Sequence, residues 1–182
     1  MFAIVQNGII QLLIPAGSQF SWNGIDYPPN WVNLSSPEEK AAIGMVDVIY
    51  GTPANDQYYW VQQDAPVYDA QQNVVVINFT NTPKDLTSVK TNAFNTINST
   101  AYSILFPSDW MVVKGIETST PVNPDWNSWR ASIRATADAT RTAVTGAADV
   151  DAVQTIMSNI QWAKSPSTLA AEAAQLEQTN GN

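Results

Sequence analysis

The chain has 182 residues, is 45% hydrophobic and carries a formal net charge of −8. That suits one domain, or two small ones sharing a core, with ample apolar material to bury. The acidic balance argues against nucleic acid, whose phosphates need clustered Lys and Arg, and against an anionic membrane surface.

The charge is uneven. Residues 1–83 carry one Lys against seven carboxylates, and residues 84–182 carry seven basic against nine acidic groups. Mixed signs of the latter kind suit solvated helix faces. The chain has no Cys and no His. Disulfides, zinc fingers and thiol or Ser-His-Asp catalysis are thereby excluded. The most apolar short stretch, "IIQLLIP", is too short to span a bilayer and lacks a basic flank. The expectation is a soluble protein made and kept in a cytoplasm.

The start reads as β. Residues 2–5 and 9–14 flank Asn7-Gly8, and Asn23-Gly24 lies between "QFSW" and "IDYP". Asn-Gly favours two-residue hairpin turns because both residues tolerate positive φ. These pieces predict a three- or four-strand meander over 2–28. In "SSPEEKAAIG", Ser36 is a natural N-cap, Pro37 fits the first helical position, and Glu39 completes a capping box. Gly44 suits the left-handed stop of that short helix. "MVDVIY", "QYYWV" and "NVVVINF" then read as strands between turn-forming residues.

At Thr82 the period changes. "TPKD" reads as a helix cap, and apolar residues recur at 86, 89, 93, 97, 101 and 104. Steps of three and four predict a helix over about 83–105, stopped before Pro107. "PSDWMVVKGIE" predicts one or two helical turns, with Ser108 or Asp109 as cap. Asn123 and Pro124 open a longer helix with apolar or small residues at 126, 129, 133, 137, 140 and 144, closed by Gly146. This helix is expected to lie antiparallel to the first. Further helices are expected over about 149–161 and in "SPSTLAAEAAQLEQ", with "TNGN" fraying. The fold class is therefore α+β: a β-rich part over 1–80 and a helical part over 81–182. The recurring starts "SPEE", "TPKD", "NPDW" and "SPST" reflect shared cap chemistry, because strands separate the first two and helices the rest.

Seven Trp stand in the chain. Trp126, Trp129 and Ile133 share one helical face. Docking of that face on the first long helix is the preferred reading, because aromatic stripes are usually core. A protein-binding patch is the alternative, since Trp and Arg are enriched at interface hot spots. Arg130 and Arg134 share an adjacent face, as the edge of an interface or as internal partners of Asp109 or Glu117. For Asp109 itself, capping is preferred over pairing with an Arg. Trp22, Tyr27 and Trp31 surround Pro28-Pro29. A rigid loop over a small core is preferred there, and a partner or sugar grip is the alternative. No carboxylate pair, Gly-rich phosphate loop or Asp-rich calcium loop stands out.

"ILFPSDWMVVKGIETSTPVNPDWNSWRASIR" resembles the helical signature of tail fibre and tail assembly chaperone proteins of tailed bacteriophages. There a D-W dipeptide and a hydrophobic triplet precede a Pro-containing turn and W-x-x-[YW]-R-x-x-[LIV]-R. The matching residues are Asp109, Trp110, Pro124, Trp126, Trp129, Arg130, Ile133 and Arg134. Trp129 stands where Tyr is more usual. "NGIDYPPNWVNLSSPEEKAAIGM" is similar to the front of such proteins. The resemblance implies a non-enzymatic protein that contacts a fibre or baseplate subunit; no cofactor or metal is expected. It would act in the host cytoplasm during assembly, or be retained in the virion tail as a permanent component. The candidate protein-binding residues are Trp110, Trp126, Trp129, Arg130 and Arg134. A host-surface glycan adhesin is a third reading, for which only the Trp22–Trp31 cluster speaks.

Overall fold

A computed structural model of the chain describes residues 1–180. The fold is α+β, with strands in the first half and helices dominating the second. It divides into two compact units, Met1–Thr82 and Pro83–Asn182.

The first unit opens with the hairpin β1 (Phe2–Gln6) and β2 (Ile9–Ile14). Asn7 and Gly8 turn it with φ of 54° and 75°, as a twist-matched two-residue turn requires. Asn23 and Gly24 repeat this geometry between β3 (Phe20–Trp22) and β4 (Ile25–Tyr27). The expected continuous meander over 2–28 does not form. A turn at Pro15–Ser18 redirects the chain, and β3–β4 becomes a separate ribbon. The free side of β1 pairs instead with β5 (Met45–Tyr50). β5 then pairs in parallel with β8 (Val74–Ile77), which pairs antiparallel with β7 (Val67–Asp69). The sheet order is β2-β1-β5-β8-β7, and its two edges, β2 and β7, approach each other. The sheet thus curls toward a barrel.

A bulge sets what each face buries. Ile4 pairs with Leu12 but Val5 pairs with Ile10, so Gln11 has no opposite residue. The extra residue sends Ile10 and Leu12 to opposite faces, although they are two apart. Ile10 packs with Ala3, Val5, Val46, Val48, Tyr68 and Val75 on the concave side. Leu12 packs with Ile4, Ile14 and Met45 on the other side. Phe20, Tyr27 and Trp31 cover that second cluster. Phe20 and Tyr27 stack at 4.6 Å, and Trp31 meets Tyr27 edge-on at 4.8 Å.

Pro28-Pro29 leads into a short helix, α1 (Trp31–Leu34), where the sequence suggested only a loop. α2 (Pro37–Ala42) starts on the expected Ser36–Glu39 capping box. Gly44 follows at φ +71°, and a Cβ there would lie 2.5 Å from the Val5 carbonyl oxygen. β6 (Tyr59–Gln63) and β9 (Phe79–Pro83) form a third, two-stranded sheet.

The second unit is helical. α3 (Leu86–Leu105) begins later than the sequence suggested. Thr82 and Pro83 belong to β9, and Asp85 is the cap, accepting from the Ser88 amide at 2.8 Å. The expected stripe is buried at Val89, Ala93, Ile97 and Ala101. A 3₁₀ turn, Phe106–Ser108, carries Pro107 and leads into α4 (Asp109–Thr118). Asn123 caps α5 (Pro124–Gly146), which buries Trp129, Ile133, Ala137 and Val144. α6 (Val150–Ser158) is capped by Asp149 and buries Val150 and Val153. α3, α5 and α6 pack mutually around these residues.

Polar contacts fix the antiparallel sense of α3 and α5. Lys90 donates to the Thr145 carbonyl, Arg141 to Asn98, and Arg130 to the Leu105 carbonyl. Early α3 thus meets late α5. Threonines on the outer faces return their hydroxyls to carbonyls four residues back, as Thr91 does to Thr87 and Thr142 to Asp138. Such bonds do not favour a helix, so the packed stripes hold these helices together. α7 (Pro166–Asn180) closes the described chain, tied by Lys164 to Glu172 at 2.6 Å. Of the tail expected to fray, Thr179 and Asn180 are helical, and Gly181 and Asn182 lie outside the described residues.

Candidate protein-binding face

Of the five candidate residues, two turn inward. Trp129 is buried, and its indole N–H donates to the Ala163 carbonyl at 2.9 Å. That bond runs to the segment before α7. Trp126 meets Trp129 edge-on, with ring centroids 5.4 Å apart, and is itself half-buried. Arg130 is only 5% exposed. Its guanidinium donates to the Leu105 carbonyl at 3.1 Å, to the buried Ser108 hydroxyl, and to Asp109 at 2.6 Å.

Asp109 therefore pairs with Arg130, and its expected role as a helix cap is corrected. The residue before the helix is Ser108, whose side chain caps nothing and donates to Leu105 at 2.7 Å. The physical reason lies in the end of α3. Its last carbonyls have no helical partners, and a planar, permanently charged fork satisfies one of them while holding the acid that opens α4. Of the two roles weighed for Arg130, this is the internal one. Arg134 is exposed and forms no ion pair among the described residues. Glu117 is exposed and does not pair with either arginine.

Trp110 is different. It is 57% exposed and belongs to a helix with no buried residue, although α4 carries Trp110, Met111, Val112, Val113 and Ile116. Val113 and Ile116 are exposed as well, Ile116 at 77%. At 100° per residue, Trp110, Val113 and Ile116 span about 120° of helix surface. That is the width of a stripe that ordinarily faces a core. The run extends backwards in steps of four to Phe106 and Tyr102, both exposed, with ring centroids 5.6 Å apart. The sequence singled out Trp110 and missed the other four. Their spacing is legible in the sequence, but a proline at 107 predicts a helix stop there. In the structure the backbone on both sides of Pro107 stays right-handed helical, so the period continues.

Beside the stripe is a cavity of about 250 Å³ between α4, the connection after it and the first turn of α5. Trp110 and Trp126 both line it, with Met111, Lys114 and Val122. Ser119 reverses the chain at φ +52°, and Gly115 lets it lie close, since a Cβ there would stand 3.0 Å from the Thr120 carbonyl oxygen. The Lys114 ammonium sits 5.8 Å from the Trp110 ring centroid, as a cation–π pair.

The Trp22–Tyr27–Trp31 cluster is largely spent on packing. Tyr27 and Trp31 interlock with Phe20 over the second core cluster. Trp22 lines a separate cavity of about 290 Å³ with Gln6, Ile25 and Gly44. Among the described residues no three acidic groups gather as a metal site, and no helix is long and apolar enough to cross a membrane. Compared with protein-family models, with characterised proteins and with solved structures, the chain matches none.

Proposed function

We propose that the chain is a tail-fibre assembly chaperone, or a fibre-associated tail protein, of a tailed bacteriophage. It acts by protein–protein binding, without enzymatic chemistry. The observation that carries the binding role is α4, an apolar helix with no fully buried residue that continues a run of exposed side chains from Tyr102 to Ile116. A contiguous apolar strip of this kind is characteristic of a partner surface. The phage assignment rests on the sequence resemblance around Asp109-Trp110 and Trp126–Arg134.

The magnitudes favour a reversible contact. Full burial of a large apolar side chain is worth about 1.5–3 kcal/mol. Five such side chains with somewhat more than half their area still free offer roughly 5–9 kcal/mol on that scale. Association costs an estimated 4–15 kcal/mol. The stripe alone therefore supports a weak contact that forms and releases, which suits a protein covering apolar surface on a fibre subunit until the subunit trimerises or docks.

Co-expression with tail-fibre and baseplate subunits of a tailed bacteriophage, followed by co-purification, tests the reading. The expected result is a complex that Phe106→Ser and Ile116→Asp weaken while the helical content stays unchanged. Absence of a complex with fibre and baseplate subunits alike overturns it. Stoichiometric presence in purified virions assigns the chain instead as a permanent component of the fibre or baseplate.

A further inference from the structure

The cavity beside α4 points to what the partner presents. Its volume, about 250 Å³, lies below the roughly 300–1,000 Å³ of drug-sized ligand pockets. It suits one bulky side chain. Its walls include Trp110, Met111, Val122 and Trp126, and its one charged lining residue is Lys114. The close approach of the Thr120–Val122 stretch to Gly115 makes the cavity a built feature of the fold.

The charges around it are unequal in availability. Arg130, Arg141 and Lys164 are held by carboxylates within their own unit. Lys114 has no such carboxylate among the described residues, although Glu117 stands one turn further along α4 and Asp125 beside Trp126. Neither acid lines the cavity. An ammonium that rests on the Trp110 ring and has no carboxylate partner among the described residues is complementary to a carboxylate carried next to an apolar anchor.

Resting on the binding role above, we propose that this cavity receives a bulky apolar side chain of the partner, with Lys114 pairing an acidic residue adjacent to that anchor. The specificity element is thus an acidic, apolar-anchored peptide segment of the partner. The stripe from Tyr102 to Ile116 supplies area, and the cavity supplies selection by charge, the division expected of interfaces with a few anchoring residues.

The indole N–H resonances of Trp110 and Trp126 report occupancy of the cavity. They would be followed during titration with three end-blocked peptides at millimolar concentration: Glu-Phe-Glu, Lys-Phe-Lys and Glu-Ala-Glu. The expected result is that Glu-Phe-Glu shifts both resonances, with Lys-Phe-Lys weaker and Glu-Ala-Glu without effect. An exposed ion pair changes affinity by roughly two- to fivefold, so Lys114→Glu should reverse the order of the two Phe peptides by a comparable factor. Equal response to both charges, or an unchanged preference in Lys114→Glu, overturns the proposal. So does a shift of the same resonances with protein concentration alone, which would make a second copy the occupant. Loss of peptide selectivity with retained fibre-subunit co-purification removes this inference only. Retained selectivity without any fibre or baseplate complex removes the assembly role only.

Discussion

Removing Asp109 should destabilise the helical unit more than removing its partner Arg130, although Asp109 is the more exposed of the two. The Arg130 side chain is 6% exposed and that of Asp109 is 47% exposed. With Arg130→Met, the Asp109 carboxylate rehydrates. The loss is then the charged hydrogen bonds to Leu105 and Ser108, about 2–3 kcal/mol in total. With Asp109→Ala, the guanidinium stays buried and cannot give up its proton. Breaking a fully buried pair in that way costs about 3–5 kcal/mol, and with the Asp109 side half open to water the lower end, about 3 kcal/mol, applies. For a unit of this size, 3 kcal/mol is a fall in Tm of roughly 12–24 °C. The double variant Asp109→Ala/Arg130→Met removes both the charge and its unmet need. It should therefore recover about 2 kcal/mol relative to the sum of the single losses. Urea unfolding followed by Trp fluorescence measures all three. An Asp109→Ala variant within about 0.5 kcal/mol of the parent, or strict additivity in the double variant, refutes the reasoning.

Gly44→Ala should cost clearly more than Gly24→Ala. Both positions have positive φ, worth about 1–2 kcal/mol for a residue with a Cβ, but only at Gly44 would the new carbon meet a backbone oxygen at 2.5 Å; equal Tm values would contradict this. Trp129→Ala should lose about 3–5 kcal/mol as a buried truncation, and half-buried Trp126→Ala distinctly less, by denaturant unfolding. The Asp85 carboxylate is held below its ordinary 3.8 by hydrogen bonds from the Ser88 backbone and side chain. Its stabilising share is complete above about pH 4, the unfolded value, and is lost as pH falls through the lowered folded value. Asp85→Asn keeps a capping oxygen without that titration, so its acid unfolding curve should be shallower than the parent's. An identical pH dependence would exclude the effect.

Local chemistry was what the sequence displayed best. Asn7-Gly8, Asn23-Gly24 and the Ser36–Glu39 capping box each act within four residues, and each formed as read. The helical stripes of α3 and α5 were legible for the same reason, since burial at 89, 93, 97 and 129, 133, 137 follows period. What failed depends on distant partners. Thr82 and Pro83 carry helix-cap chemistry, but pairing with β6 draws them into β9. Nothing near Met45–Tyr50 announces its parallel pairing with Val74–Ile77. At the candidate face, a stripe's period does not say whether anything covers it. The sequence therefore nominated Trp129 and Arg130, which the unit uses internally, and passed over Tyr102, Phe106, Val113 and Ile116.

Amide hydrogen exchange of the chain, alone and with the tail-fibre subunit proposed as its partner, tests the central claim most directly. The account predicts slowed exchange over residues 102–118 and the first turn of α5, with little change along the α3–α5 contact that is already packed. A complex whose protection falls elsewhere, with 102–118 exchanging as in the free chain, would contradict it.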